Sequence, residues 1–120
     1  MIRFIFINIF IVIYTFISSI CSFIVSFFDK DGTLIHRKCA VPWGKTILFI
    51  CGVKIRVKGV ENIRKDTPCI YMSNHQSYFD IFALLAGLPV DFKFIMKKEL
   101  MGIPILGTAM KRAGYISLDR

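Results

Sequence analysis

The longest pattern in the chain is an unbroken apolar one. Residues 4 to 28, FIFINIFIVIYTFISSICSFIVSFF, hold no charged side chain. A helix of that length reaches ~37 Å, enough to cross a ~30 Å hydrocarbon layer with some tilt. The polar stretch DKDGTLIHRKC (29–39) follows as the exit from this segment. VPWGKTILFICG (41–52) then predicts a short amphipathic helix, with Trp43, Ile47 and Ile50 on one face and Gly52 as its stop. KIRVKGV (54–60) alternates strictly and predicts a half-exposed strand; PCIYMS (68–73) is a short apolar run that predicts a buried one. Ser77-Tyr-Phe-Asp80 has the form of a capping box, opening a helix that continues through IFALLA to Gly87 and Pro89. VDFKFIM (90–96) alternates as a strand, residues 99–112 are helical with a break near Gly102-Ile-Pro104, and YISL (115–118) is a last strand. Strands and helices in alternation predict an α/β domain with at least partly parallel pairing, behind an N-terminal membrane helix.

Charge gives the apolar segment a direction. Arg3 precedes it, whereas Lys30, Arg37, Lys38 and Lys45 follow. In a spanning helix that bias places the C-terminal side in the cytoplasm, at the cell membrane. The apolar run is too long for a cleavable signal peptide and no A-x-A-like site follows it, so residues 1–28 read as a membrane anchor and 29–120 as the domain it holds. Both a single crossing and a bent pair of short helices fit the pattern. Ser18, Ser22 and Ser26 fall at helical spacing, where they either line a packing face or bond back to their own helix.

The chain carries 16 Lys and Arg against 8 Asp and Glu, a formal charge of +8. A basic domain tied to a membrane fits anionic lipid surfaces and phosphate-bearing ligands. Nucleic acid is disfavoured as a partner, because the charges are scattered and no stacking run accompanies them. Cys21, Cys39, Cys51 and Cys69 include no C-x-x-C pair. That is not zinc spacing, and no metal is expected.

The residues with the most chemistry are His75 and Asp80, in SNHQSYFD. On one regular helix they would stand ~140° apart around the axis and ~7.5 Å along it, out of hydrogen-bond reach. The predicted elements instead put His75 in the loop after a strand and Asp80 in the first turn of the next helix, so the reversal can bring them together. An aspartate accepting from one ring nitrogen fixes the tautomer and leaves the other nitrogen free to take a proton, as a general base requires. The plainer alternative is that Asp80 only closes the capping box and His75 is an ordinary loop histidine. A triad using Ser77 as nucleophile is sterically awkward within six residues, and two ligands are too few for a metal.

Asn74-His75-Gln76-Ser77-Tyr78-Phe79-Asp80 resembles the N-H-x4-D block of the glycerolipid acyltransferases, especially the 1-acylglycerol-3-phosphate O-acyltransferases. GVKIRVKGVENI resembles that family's strand and G-x-E-N turn. Lys97-Lys98-Glu99-Leu100 with Ile103-Pro104 and Gly107 resembles its K-K-E-L-x-x-I-P-x-x-G run, and Gly114 to Arg120 its G-x-x-F-I-x-R block, with Ser117 where phenylalanine is usual. The resemblance implies that His75, oriented by Asp80, deprotonates the hydroxyl of lysophosphatidate for direct attack on the thioester of acyl-CoA or acyl-carrier protein. It also implies that Lys97 and Arg120, helped by Lys98, hold the acceptor phosphate, with no bound cofactor. The family's E-G-T-R block and a later proline-containing block do not occur in these 120 residues. The expectation is therefore the first part of an acyltransferase, from a partial sequence or a truncated reading frame.

Two other classes compete. FDKDGTLI (28–35) resembles the D-x-D-G-T motif of the haloacid-dehalogenase phosphatases, in which Asp29 would be nucleophile and Asp31 acid/base. The preceding apolar run has membrane length rather than strand length, and Asp-Gly is also simply what a turn uses. The other alternative is an inactive membrane-anchored remnant that binds anionic lipid through its basic face.

Overall fold

The computed structural model describes residues 1–119. Helix α1 (Ile2–Val25) is followed by a turn of helix α2 (Thr33–Ile35), a π-helical stretch His36–Ala40, and α3 (Val41–Cys51). A 3-10 turn at Val60–Asn62 precedes α4 (Phe79–Gly87). Strand β1 (Ile95–Lys97), a 3-10 turn Lys98–Gly102, α5 (Leu106–Arg112) and strand β2 (Ile116–Leu118) complete the order. β1 and β2 pair in parallel, with Ile95 opposite Ile116 and Lys97 opposite Leu118. The fold is a mixed one, mostly helical with a small two-stranded sheet.

Among the described residues α1 is the one helix long and apolar enough to cross a membrane. Its two halves differ. From Tyr14 onward it packs on the domain: the Tyr14 hydroxyl meets Thr46 Oγ1 at 3.2 Å, Trp43 Nε1 donates to Thr15 Oγ1 at 3.0 Å, and Arg112 reaches Ser26 Oγ at 3.2 Å while lying over the Phe23 and Phe27 rings. Val25 joins the buried cluster of Ile35, Cys39 and Ala113, beside Tyr115. Of the three spaced serines, Ser22 serves both expected ends: it is buried on the packed face and bonds back to Ser18 O at 2.8 Å. Ser19, outside that set, is buried as well and bonds back to Thr15 O at 2.8 Å. Before Tyr14 nearly every side chain is exposed.

α3 ends where the sequence says: Gly52 takes the left-handed conformation (φ 72°), and the Val53 N–H closes on Leu48 O at 2.9 Å. α3 and α4 approach closely at Gly44, where an added Cβ would come within 3.0 Å of Leu85 Cβ. Leu85 is 2 % exposed, and Trp43 stacks edge-on against Phe82 with ring centroids 5.1 Å apart. This packing fixes the body of α4, and through it the helix start that carries Asp80.

The strands depart from expectation. Residues 54–60 and 68–73 form no ladder; 68–73 are exposed rather than buried, with Met72 at 93 %. A strand needs a partner, and none lies beside either run among the described residues. Of 90–96, only Ile95 and Met96 enter a ladder, with Lys97 as its last residue. The expected break in the last helical region is present as the 3-10 turn, closed by a γ-turn in which Leu106 N–H bonds to Pro104 O at 2.7 Å around Ile105 (φ 65°, ψ −57°).

Candidate active site

The chain does turn between His75 and Asp80. α4 begins at Phe79, with Tyr78 already right-handed helical, so the helix is entered one residue after the expected cap. Ser77 still caps it, its Oγ accepting the Phe79 N–H at 3.1 Å. Asp80, in the first turn, points back over the loop. Its Oδ2 accepts from Gln76 N at 2.7 Å and Ser77 N at 2.9 Å, and lies 3.2 Å from His75 Nδ1. The capping box and the histidine pair, alternatives in the sequence, are thus one arrangement. The Asp80 carboxyl is held below its ordinary range, first by the Ser77 and Gln76 N–H groups and then by His75. The His75 side chain is 60 % exposed, so a substrate can reach its other nitrogen.

The basic residues lie elsewhere on the chain. Lys97 ends β1 and is exposed; Lys98 opens the following turn, its Nζ 3.3 Å from Asp119 Oδ2. No hydrogen bond or ion pair joins either lysine to His75 or Asp80 among the described residues. Arg120 lies outside the described residues.

Asp29 and Asp31 are engaged as caps. Asp29 accepts from Gly32 N at 3.0 Å and Ile35 N at 2.7 Å, and Asp31 from Thr33 N at 3.0 Å, which starts α2. His36, expected in a polar loop, is instead 3 % exposed, edge-on to Phe92 at 4.8 Å. Burial lowers its pKa, and its Nδ1 has no partner among the described residues. The sequence also gave no prominence to Lys93, whose Nζ ties Asp31 O (2.6 Å) to Ala113 O (2.7 Å) and so joins the start of the domain to the end of α5. Its only signal was a lysine within an alternating apolar run.

Comparison with known proteins gives this geometry a family. The profile of the family described as Acyltransferase matches residues 54–120, a span that includes the His75–Asp80 pair. The chain belongs to the acyltransferase family. Within that family it is 38% identical over 97 residues to a chloroplastic 1-acyl-sn-glycerol-3-phosphate acyltransferase of Brassica napus, a match covering 80% of this chain and 28% of that one. A chloroplastic enzyme of the same name from Arabidopsis thaliana is 40% identical over 97 residues, covering 80% and 27%. A 1-acyl-sn-glycerol-3-phosphate acyltransferase of Pseudomonas aeruginosa is 34% identical over 71 residues, covering 59% and 27%. The chain therefore spans little more than a quarter of these acyltransferases. No solved structure matches it.

Proposed function

We propose that this chain carries the acyl-transferring histidine of a lysophosphatidate acyltransferase. The observation that supports this most is the 3.2 Å approach of Asp80 Oδ2 to His75 Nδ1 within the family's matched span. Donation from Nδ1 to the carboxylate leaves Nε2 with its lone pair. Nε2 takes the proton of the free hydroxyl of 1-acyl-glycerol-3-phosphate as that oxygen attacks the thioester carbonyl of acyl-CoA or acyl-carrier protein. The C–S bond then breaks, the histidine returns the proton to the leaving thiolate, and phosphatidate and a free thiol result. Lys97, Lys98 and Arg120 hold the acceptor phosphate, a role suited to ammonium and guanidinium groups.

The lipid acceptor explains the apolar helix. α1 holds the domain at the bilayer, with residues 29–120 on the cytoplasmic side by the positive-inside bias. The cap roles of Asp29 and Asp31 favour a turn over a phosphatase nucleophile.

His75→Ala, assayed in membranes with lysophosphatidate and acyl-CoA or acyl-carrier protein, should lower transfer by about 10²–10⁴-fold with membrane insertion unchanged. Full retention of transfer would remove His75 from the reaction.

A further inference from the structure

Gln76 and Ser77 both donate a backbone N–H to the Asp80 carboxylate that faces His75, and Ser77 also adds a side-chain bond. Ser77 touches the arrangement twice: its N–H donates to Asp80 Oδ2, and its hydroxyl accepts from Phe79 N–H, in the turn that carries Asp80. Packing supports the pair from the helix side alone: residues 64–79 are exposed throughout, and the contacts that fix α4 (Trp43 against Phe82, Gly44 against Leu85) begin at Phe82. Every bond from the loop to the carboxylate falls on the same oxygen, Oδ2. A small unwinding of the helix start would therefore carry that oxygen away from both N–H groups and from His75 together.

We propose that Ser77 is a positioning residue: by capping α4 it keeps Asp80 Oδ2 on His75 Nδ1, and so holds the imidazole in the tautomer whose Nε2 is bare. The proposal rests on the reading of His75 as general base and adds the residue that sets the state of that base. An ordinary helix cap satisfies a backbone N–H and contributes only stability. Here the capped turn bears the carboxylate that selects the tautomer, so losing the hydroxyl changes the chemistry of a side chain two residues away.

The chain has two histidines, which makes the test direct. The full chain, labelled with ¹⁵N-histidine and held in detergent micelles, shows His75 and His36 side by side, with His75→Asn assigning the pair. His36, buried against Phe92, reports whether the domain packing is intact. With the ring neutral, wild-type His75 should show a protonated Nδ1 and a bare Nε2. In Ser77→Ala the His75 signals should move toward the Nε2–H form that unconstrained histidine favours, with His36 unmoved. Ser77→Thr, which keeps a hydroxyl, should restore the wild-type pattern. A Ser77→Ala spectrum with His75 unchanged overturns the proposal. So does one in which His36 moves as well, because Ser77 would then support the domain at large.

In the transfer assay Ser77→Ala should lower kcat by about ten-fold, part of the 10²–10⁴ that a general base supplies, with KM unchanged and with recovery in Ser77→Thr. The expected tautomer change in a chain that transfers no acyl group would leave Ser77 as the positioning residue and overturn the reading of His75 as the base of acyl transfer instead.

Discussion

Asp80 and His36 are titratable groups pushed in the same direction by opposite means. Asp80 is only partly buried, and backbone N–H groups hold its carboxyl below the ordinary range. Its bonds to the loop are therefore intact above the usual carboxylate pKa of ~3.9, and are lost only as pH falls through the lower folded value. A carbon-detected NMR titration of the Asp80 carboxyl should show its midpoint below that of an exposed aspartate in an unfolded peptide. His36 is lowered chiefly by burial, with Lys93 and Arg37 adding to the effect and Asp91 and a Val90 backbone bond opposing it. Since the unfolded chain binds that proton more readily, stability falls as pH drops from ~6.5 through the folded value. His36→Phe, which keeps a ring against Phe92, should flatten that part of the stability profile; denaturant melts at several pH values would measure it. The sequence paired His75 with an aspartate at a spacing a turn can close, and the chain does close it. It gave no sign that His36 is buried, because that depends on Phe92, far along the chain.

At the scale of elements, helices were legible and most strands were not. α3 and α4 begin and end close to their sequence signals, because caps and glycine stops act within a few residues. A strand takes its hydrogen bonds from a segment elsewhere, so strict alternation at 54–60 and the apolar run at 68–73 express a capacity that no neighbour among the described residues completes. The parallel pairing of β1 and β2 was anticipated; the γ-turn at Ile105 was not, since a β-branched residue at positive φ runs against local preference. The α3–α4 contact gives a sharp expectation. Gly44→Val drives added methyl groups into Leu85 and should destabilise the domain by about 1–3 kcal/mol, read as an earlier denaturant midpoint. A matched substitution at Gly52, where nothing lies within 4 Å, would act through its left-handed backbone instead.

For the molecule as a whole, α1 joins what the sequence divided. A boundary after residue 28 separates anchor from domain, yet Tyr14, Thr15, Val25 and Ser26 already contact α3, the central cluster and α5. Tyr115, in the cluster that Val25 completes, has its pKa pushed up to about 12 by burial. Its contribution is fully present below ~10, the unfolded value, and is lost as pH rises through the folded one, so alkaline unfolding should begin in that window.

The unpaired run before His75 has a kinetic consequence. Residues 68–74 make no backbone hydrogen bond among the described residues, whereas the N–H groups of Gln76 and Ser77 are both spent on Asp80. Amide deuteration should therefore change abruptly within two residues, immediate through Asn74 and slowed from Gln76 onward. His75 sits on that boundary, steadied by the helix that follows it and unsupported by the chain that precedes it.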